Sequence, residues 1–212
     1  KIKEWEEKKK KQKGAKAMEI HPFLTISRDF GCGEEEIIPK LEQTLKWKVY
    51  GRNLLDLLAQ RETLSRGFIE TLDEQKQTVV DDWVNFLIHS GAVLQKDYVL
   101  KISKMIQVIA RQENAIFLGR GANFILKDKR IGLRIKLTAA FADRVQNIMK
   151  VRKLSQKEAE ELVSQKDKER IKFVREYFAR EAIGGCEVDM VINTSTLDGD
   201  LICKIIELTL QE

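Results

Sequence analysis

The sequence predicts an α/β fold of three layers, a parallel sheet flanked by helices. Two observations carry this. Residues 23–38 read as an apolar strand (Phe23-Leu24-Thr25-Ile26), a glycine-containing loop from Ser27 to Gly33, and the start of a helix. Further along, short apolar runs alternate with amphipathic helical stripes, the order that builds crossover units and hence parallel pairing. A length of 212 residues is enough for one large domain with a full core.

Taken in order, residues 1–20 are a charged segment containing Lys8 to Lys11, with only Ile2, Trp5, Met18 and Ile20 as large apolar side chains. That composition predicts a solvated arm or linker. The chain opens on Lys1 rather than methionine, which leaves room for an upstream domain. Residues 21–212 are expected to form the domain proper. After the first strand, Ile37, Leu41 and Leu45 mark the apolar face of a helix. Val49-Tyr50 read as a short second strand. Residues 53–90 are helical in pattern throughout. Tyr98, Ile102, Met105, Ile106 and Ile109 form a further amphipathic stripe. Ala115–Leu118 is a buried-strand run ending in Gly119-Arg120-Gly121, and Leu133–Leu137 is the next strand. Phe141 to Val151 is helical. Ser155 and Glu158 form a capping box that opens a helix to about Gln165, continuing as a charged helix to Arg180. Met190–Asn193 is the last strand and Leu201–Leu210 the last helix.

Composition excludes several function classes. No apolar run approaches the roughly 20 residues that cross a bilayer, and no secretory leader opens the chain, so a cytoplasmic location without membrane contact is expected. The net charge of +5 comes largely from the basic arm, which argues against nucleic acid as a partner of the folded part. Cys32, Cys186 and Cys203 are odd in number and far apart, unlike a disulfide framework or zinc site. His21 and His89 are too isolated to suggest histidine chemistry.

The loop after the first strand carries the chemistry. A strand, glycine loop and helix in this order present backbone N–H groups and a helix N-terminus to an anion. Ser27, Arg28, Gly31, Cys32 and Gly33 are therefore the candidate contacts to a phosphate-bearing nucleotide. The usual pattern places lysine and then a hydroxyl directly after the last glycine, but here Gly33 is followed by Glu34-Glu35-Glu36. Glu34 stands where the lysine would be and Glu36 where a hydroxyl would hold magnesium. These carboxylates suit the helix macrodipole but would repel a phosphate, unless Glu34 and Glu36 ligate magnesium between them. Arg28 is the candidate replacement for the missing positive charge. Pro39 raises a second expectation: a helix beginning near Ile38, or a kink, since proline costs about 3 kcal/mol inside a helix.

Three more segments fall where a parallel sheet binds ligands, at the carboxyl ends of its strands. They are Gly119-Arg120-Gly121, the charged helix around Asp167, Arg170 and Arg175, and Asn193-Thr194-Ser195. With the loop, these segments resemble the cytidylate kinase-like family of P-loop nucleoside monophosphate kinases. Ile26-Ser27-Arg28-Asp29-Phe30-Gly31-Cys32-Gly33 is similar to that family's I-S-R-E-Y-G-S-G, and Leu118-Gly119-Arg120-Gly121-Ala122 to its V-G-R-G-A. Asp167-Lys168-Glu169-Arg170 matches its D-K-E-R, and Val191-Ile192-Asn193-Thr194-Ser195 its V-I-N-T-S. The order and spacing hold from about Pro22 to the C-terminus.

The resemblance implies a three-layer P-loop NTPase fold of the nucleoside monophosphate kinase type. Residues 53–90 would be a helical acceptor-binding insertion and 153–182 a helical lid. It implies phosphoryl transfer from ATP, with magnesium, to a nucleoside monophosphate or other small phosphate acceptor. Arg120 would meet the acceptor phosphate, where a guanidinium fork suits its oxygens. Arg170 and Arg175 would be the catalytic lid arginines that neutralise developing charge. The plainer alternative for both is pairing with Glu169, Glu176 or Asp167 on a charged helix. This branch of the family reads G-G-R-E-I after the loop, whereas here the arginine position is Glu35. The aspartate that ordinary cytidylate kinases carry after the acceptor arginine is also missing, so cytidine specificity is not implied. These departures leave a second expectation of a different class: a catalytically impaired pseudokinase that binds a nucleotide or a partner.

Overall fold

A computed structural model describes residues 20–51, 54, 97–126, 131–178 and 187–211. The arm over 1–19 lies outside the described residues. So do the expected helical insertion over 53–90, Leu54 excepted, and the expected lid beyond Phe178. Among the described residues five strands form one parallel sheet in the order β2-β3-β1-β4-β5. They are β1 (Phe23–Arg28), β2 (Lys48–Tyr50), β3 (Ala115–Leu118), β4 (Gly132–Thr138) and β5 (Met190–Asn193). The helices described are α1 (Glu34–Leu45), α2 (Asp97–Ala110), α3 (Ala122–Ile125), α4 (Phe141–Arg152), α5 (Gln156–Phe178) and α6 (Gly199–Gln211).

The layers follow from the two-residue period of β1. Leu24 and Ile26 pack with Ile37, Ile38 and Leu41 of α1 and with Ile202 and Ile206 of α6. Phe23 faces the opposite layer, with Val99, Ile102 and Ile106 of α2, Phe124 and Ile125 of α3, and Phe178 at the end of α5. Phe23 pairs with Ala115 on one side and Gly132 on the other. Its ring lies over Gly132 so closely that a Cβ there would sit 2.4 Å from it, which explains a glycine at the head of β4. A third cluster, Phe30, Val145, Ile148, Ala159 and Val163, joins the loop after β1 to α4 and α5.

One expectation is corrected. Helix α1 runs unbroken from Glu34 to Leu45 with Pro39 inside it, rather than starting near Ile38. The proline costs about 3 kcal/mol, but burial of Ile37, Ile38 and Leu41 contributes about 1.5–3 kcal/mol each, so packing wins. The helix N-terminus, and with it the first-turn amides, therefore stays at the loop. The capping box of α5 forms as expected: the Ser155 N–H and hydroxyl donate to the Glu158 carboxylate at 2.9 and 2.6 Å, and the Glu158 N–H returns to Ser155 Oγ at 3.4 Å. Among the described residues no helix is long and apolar enough to cross a membrane.

Candidate functional site

In this strand order the connections from β1 and β3 leave in opposite directions, and the crevice at their carboxyl ends is where such sheets bind ligands. A cleft of about 720 Å³ opens there, ample for a nucleotide. Arg28 reaches it from the end of β1 and Glu34 from the start of α1, Gly51 from beyond β2, and Leu118 and Arg120 from β3 and its turn. Arg152 of α4 and Lys166, Arg170 and Phe173 of α5 close the other side.

The loop is held by its carbonyls. Arg170 Nη1 donates to the carbonyl of Arg28 at 2.6 Å, and Arg144 Nη1 to that of Phe30 at 3.4 Å. Asn147 Nδ2 donates to that of Gly31 at 3.0 Å and Thr194 Oγ1 to that of Cys32 at 2.7 Å. Asp29 is fixed by the Thr138 hydroxyl at 2.6 Å and by Lys136 at 3.7 Å. Gly31 and Gly33 both take positive φ, 82° and 85°, a conformation that costs other residues about 1–2 kcal/mol. Gly31 is also pressed against α4, where a Cβ would come within 2.8 Å of the Arg144 carbonyl and of Ile148.

Glu34 does not project into solvent. Its carboxylate turns back on the loop, 3.5 Å from Arg28 Nε and 4.0 Å from Arg170 Nη2. The Cys32 thiol donates to it at 3.6 Å, and the backbone N–H of its own residue does so too. Burial, then the neighbouring Glu35 charge, raise the Glu34 carboxyl above its usual range against the pull of the arginines. Burial first, then Arg170, lower the Arg28 guanidinium. Both partners are displaced in the direction that burial dictates, the pattern expected where desolvation opposes the attraction within a pair. The Cys32 thiol is likewise pushed up, chiefly by burial and then by Glu34, so it is not a reactive thiolate.

Across the cleft, three residues in a row take left-handed backbone: Gly119 at φ 72°, Arg120 at 56° and Gly121 at 71°. The turn is tied to the sheet by the Gly119 N–H, which donates to the Ile26 carbonyl at 2.9 Å. The Arg28 guanidinium lies across Gly119, 2.5 Å from where a Cβ would be, and the Phe178 ring fills the space beside Gly121. A non-glycine residue at positive φ between two constrained glycines is strain held by its surroundings, a common mark of a working site.

Of the expected site residues, the structure brings Arg28, Glu34, Arg120 and Arg170 to the cleft. Ser27 is buried with its hydroxyl donating to Asn123 Oδ1 at 3.3 Å. Arg175 is exposed and does not line the cleft; five residues along a helix turn a side chain by about 140°, away from Arg170. Glu36 turns outward to Lys40 at 2.8 Å, so Glu34 and Glu36 do not converge as a magnesium pair. Among the described residues no cluster of three or more His, Cys, Asp or Glu side chains is arranged to hold a metal.

Arg152, Lys166 and Phe30 are site residues that sequence reasoning missed. Arg152 and Arg170 lie over the Phe30 ring, 5.3 and 5.7 Å from its centre. Lys166 is one turn before Arg170 and pairs with Glu169 at 2.6 Å. The spacing of four to Arg170 was the available signal for Lys166. Asp167 grips Arg144 at 2.8 Å and so anchors α5 to α4 instead of pairing with Arg170.

The model of the cytidylate kinase-like family matches residues 23–196. The chain belongs to that family. No curated protein matches it. Among solved structures, an uncharacterized protein from Eubacterium ventriosum superposes with a TM-score of 0.69 at 20% identity, covering 90% of this chain and 98% of its own. The shikimate kinase of Bacteroides thetaiotaomicron aligns over 90% of this chain and 98% of its own at 10% identity, with a TM-score of 0.47. The first likeness shows the fold; the second is too distant to argue from. In this cytidylate kinase-like chain the loop after β1, the Gly119-Arg120-Gly121 turn and α5 all border one cleft.

Proposed function

We propose that this protein is a nucleotide kinase-like phosphotransferase, moving the terminal phosphoryl group of ATP to a nucleoside monophosphate or similar phosphate-bearing acceptor. The observation that supports this best is the convergence of Arg28, Arg120, Arg152, Lys166 and Arg170 on one cleft. Arg28 and the loop amides hold the donor, Arg120 the acceptor phosphate, and Arg170 the charge that develops on the equatorial oxygens. The bond from the γ-phosphorus to its bridging oxygen breaks as one to an acceptor phosphate oxygen forms. That oxygen is already ionised, so no general base is required. Magnesium belongs to the proposal only as a companion of the donor phosphates, and no step is assigned to it.

The test is ADP release from ATP with a panel of nucleoside monophosphates, beside R120A. Turnover is expected. Loss of a charge-assisted contact worth about 1.5–3 kcal/mol should lower kcat/KM for R120A roughly 10- to 100-fold. No turnover above background with any acceptor would sink the proposal.

A glutamate where the loop's lysine belongs favours the second reading, a pseudokinase that binds nucleotide or a partner without transfer. In that case ATP raises Tm while R170A changes no rate.

A further inference from the structure

We propose that the Glu34 carboxylate is a tethered stand-in for phosphate, seated in the loop's anion position and holding the lid through Arg170 until a phosphate chain displaces it. This rests on the reading above only in taking the cleft's ligand to carry phosphate. The geometry carries the rest. Glu34 is the first residue of α1, where helix amides and dipole draw an anion. Two guanidiniums and a thiol surround its carboxylate: Arg28 Nε lies 3.5 Å away and Arg170 Nη2 4.0 Å, the Cys32 thiol donates at 3.6 Å, and its own backbone N–H turns to it as well. Two guanidiniums around one anion form the arrangement that binds a phosphate.

The contact is also imperfect. Arg28 Nε, although buried, makes no well-formed hydrogen bond. Nor are the two arginines matched by equal charge, since Glu34 supplies one negative charge where a phosphate supplies more. A more highly charged ligand would satisfy both cations better than the residue that now occupies them. Glu35 also faces the cleft, but its side chain is exposed to solvent. Its charge acts only as background.

The experiment is calorimetric titration of the whole chain with inorganic tripolyphosphate, comparing wild type, E34Q, E34A and E35Q. Removing the Glu34 charge should tighten binding about tenfold or more, the worth of one charge-assisted contact no longer competed for. E35Q should stay within about threefold of wild type, the residue of general electrostatics. Hydrogen exchange adds an independent readout: without ligand, α5 amides around Arg170 should exchange faster in E34Q, and tripolyphosphate should restore their protection. Equal or weaker binding by E34Q and E34A overturns the proposal, as does an equal gain in E35Q. Failure of both Glu34 variants to fold also overturns it, because a displaceable anion cannot be a requirement of the fold. Turnover is scored separately. A binding gain without turnover retires the transferase and keeps the stand-in, and turnover without a binding gain does the reverse.

Discussion

The loop after β1 and the turn after β3 are made of the same materials: an arginine and two glycines at positive φ, where a buried strand ends. They hold their ligand-facing groups at different cost. In the turn, the cost is steric and backbone-borne, with Arg120 itself left-handed at φ 56° and Phe178 pressed against Gly121. In the loop the steric constraint falls on Gly31, away from the arginine; Arg28 lies in an ordinary strand, and its cost is electrostatic: a largely buried guanidinium beside a buried carboxylate, with shifts that both follow burial. A rigid, strained turn suits a group that must meet its partner in one geometry. A loop with an internal counter-charge suits one whose occupant can be exchanged.

The sharpest way to break this contrast is with alanine at the glycines. At Gly121 a Cβ would sit 1.9 Å from the Phe178 ring at φ 71°. Overpacking and left-handed strain together should cost roughly 2–5 kcal/mol. At Gly33, φ is 85° but the nearest atom to a Cβ is Asn147 Nδ2, 4.0 Å away, so only the backbone strain of about 1–2 kcal/mol applies. Urea unfolding of G121A and G33A should therefore show clearly unequal losses. Equal losses would mean that the turn is no more sterically constrained at Gly121 than the loop is at Gly33.

Much of this architecture was legible because it rests on local signals. The strand–loop–helix of residues 23–38, the Gly-Arg-Gly turn and the Ser155–Glu158 box each declare themselves within a few residues, and their order fixed the family resemblance. What could not be read depended on direction and distance. Glu34 and Glu36 are equivalent in sequence, yet one turns inward to Arg28 and the other outward to Lys40. Pro39 argued for a late helix start, because burial of Ile37, Ile38 and Leu41 is a tertiary gain that no local rule contains. Arg152 meets Phe30 across more than a hundred residues of chain, so no spacing could have paired them.

A smaller effect sharpens the turn's side of the comparison. If Arg120 is strained for function, R120G should raise stability while weakening acceptor binding. The gain is the left-handed cost of about 1–2 kcal/mol, less the ~0.5–1 kcal/mol by which glycine raises the entropy of the unfolded chain. A net stabilisation up to about 1 kcal/mol is expected in urea unfolding, against the loss that R120G shares with R120A in kcat/KM. A destabilised R120G would mean that the arginine side chain supports the fold rather than burdens it.

The smallest effect belongs to the loop and has a definite sign. Burial, and secondarily Glu35, raise the Glu34 carboxyl above its usual range, so the folded protein binds that proton more readily than the unfolded chain. Stability from this group is then fully present below the ordinary glutamate value of about 4.3 and is lost as pH rises through the higher folded value. Glutamine does not titrate, so subtracting E34Q from wild type isolates the contribution from that of other carboxylates. The Tm difference, wild type minus E34Q, should move in favour of wild type as pH falls from about 7 towards 4.5. A difference moving the other way would show the carboxylate to be net-stabilised by Arg28 and Arg170. The loop would then be locked into its present arrangement no less firmly than the turn, and the contrast between the two would collapse.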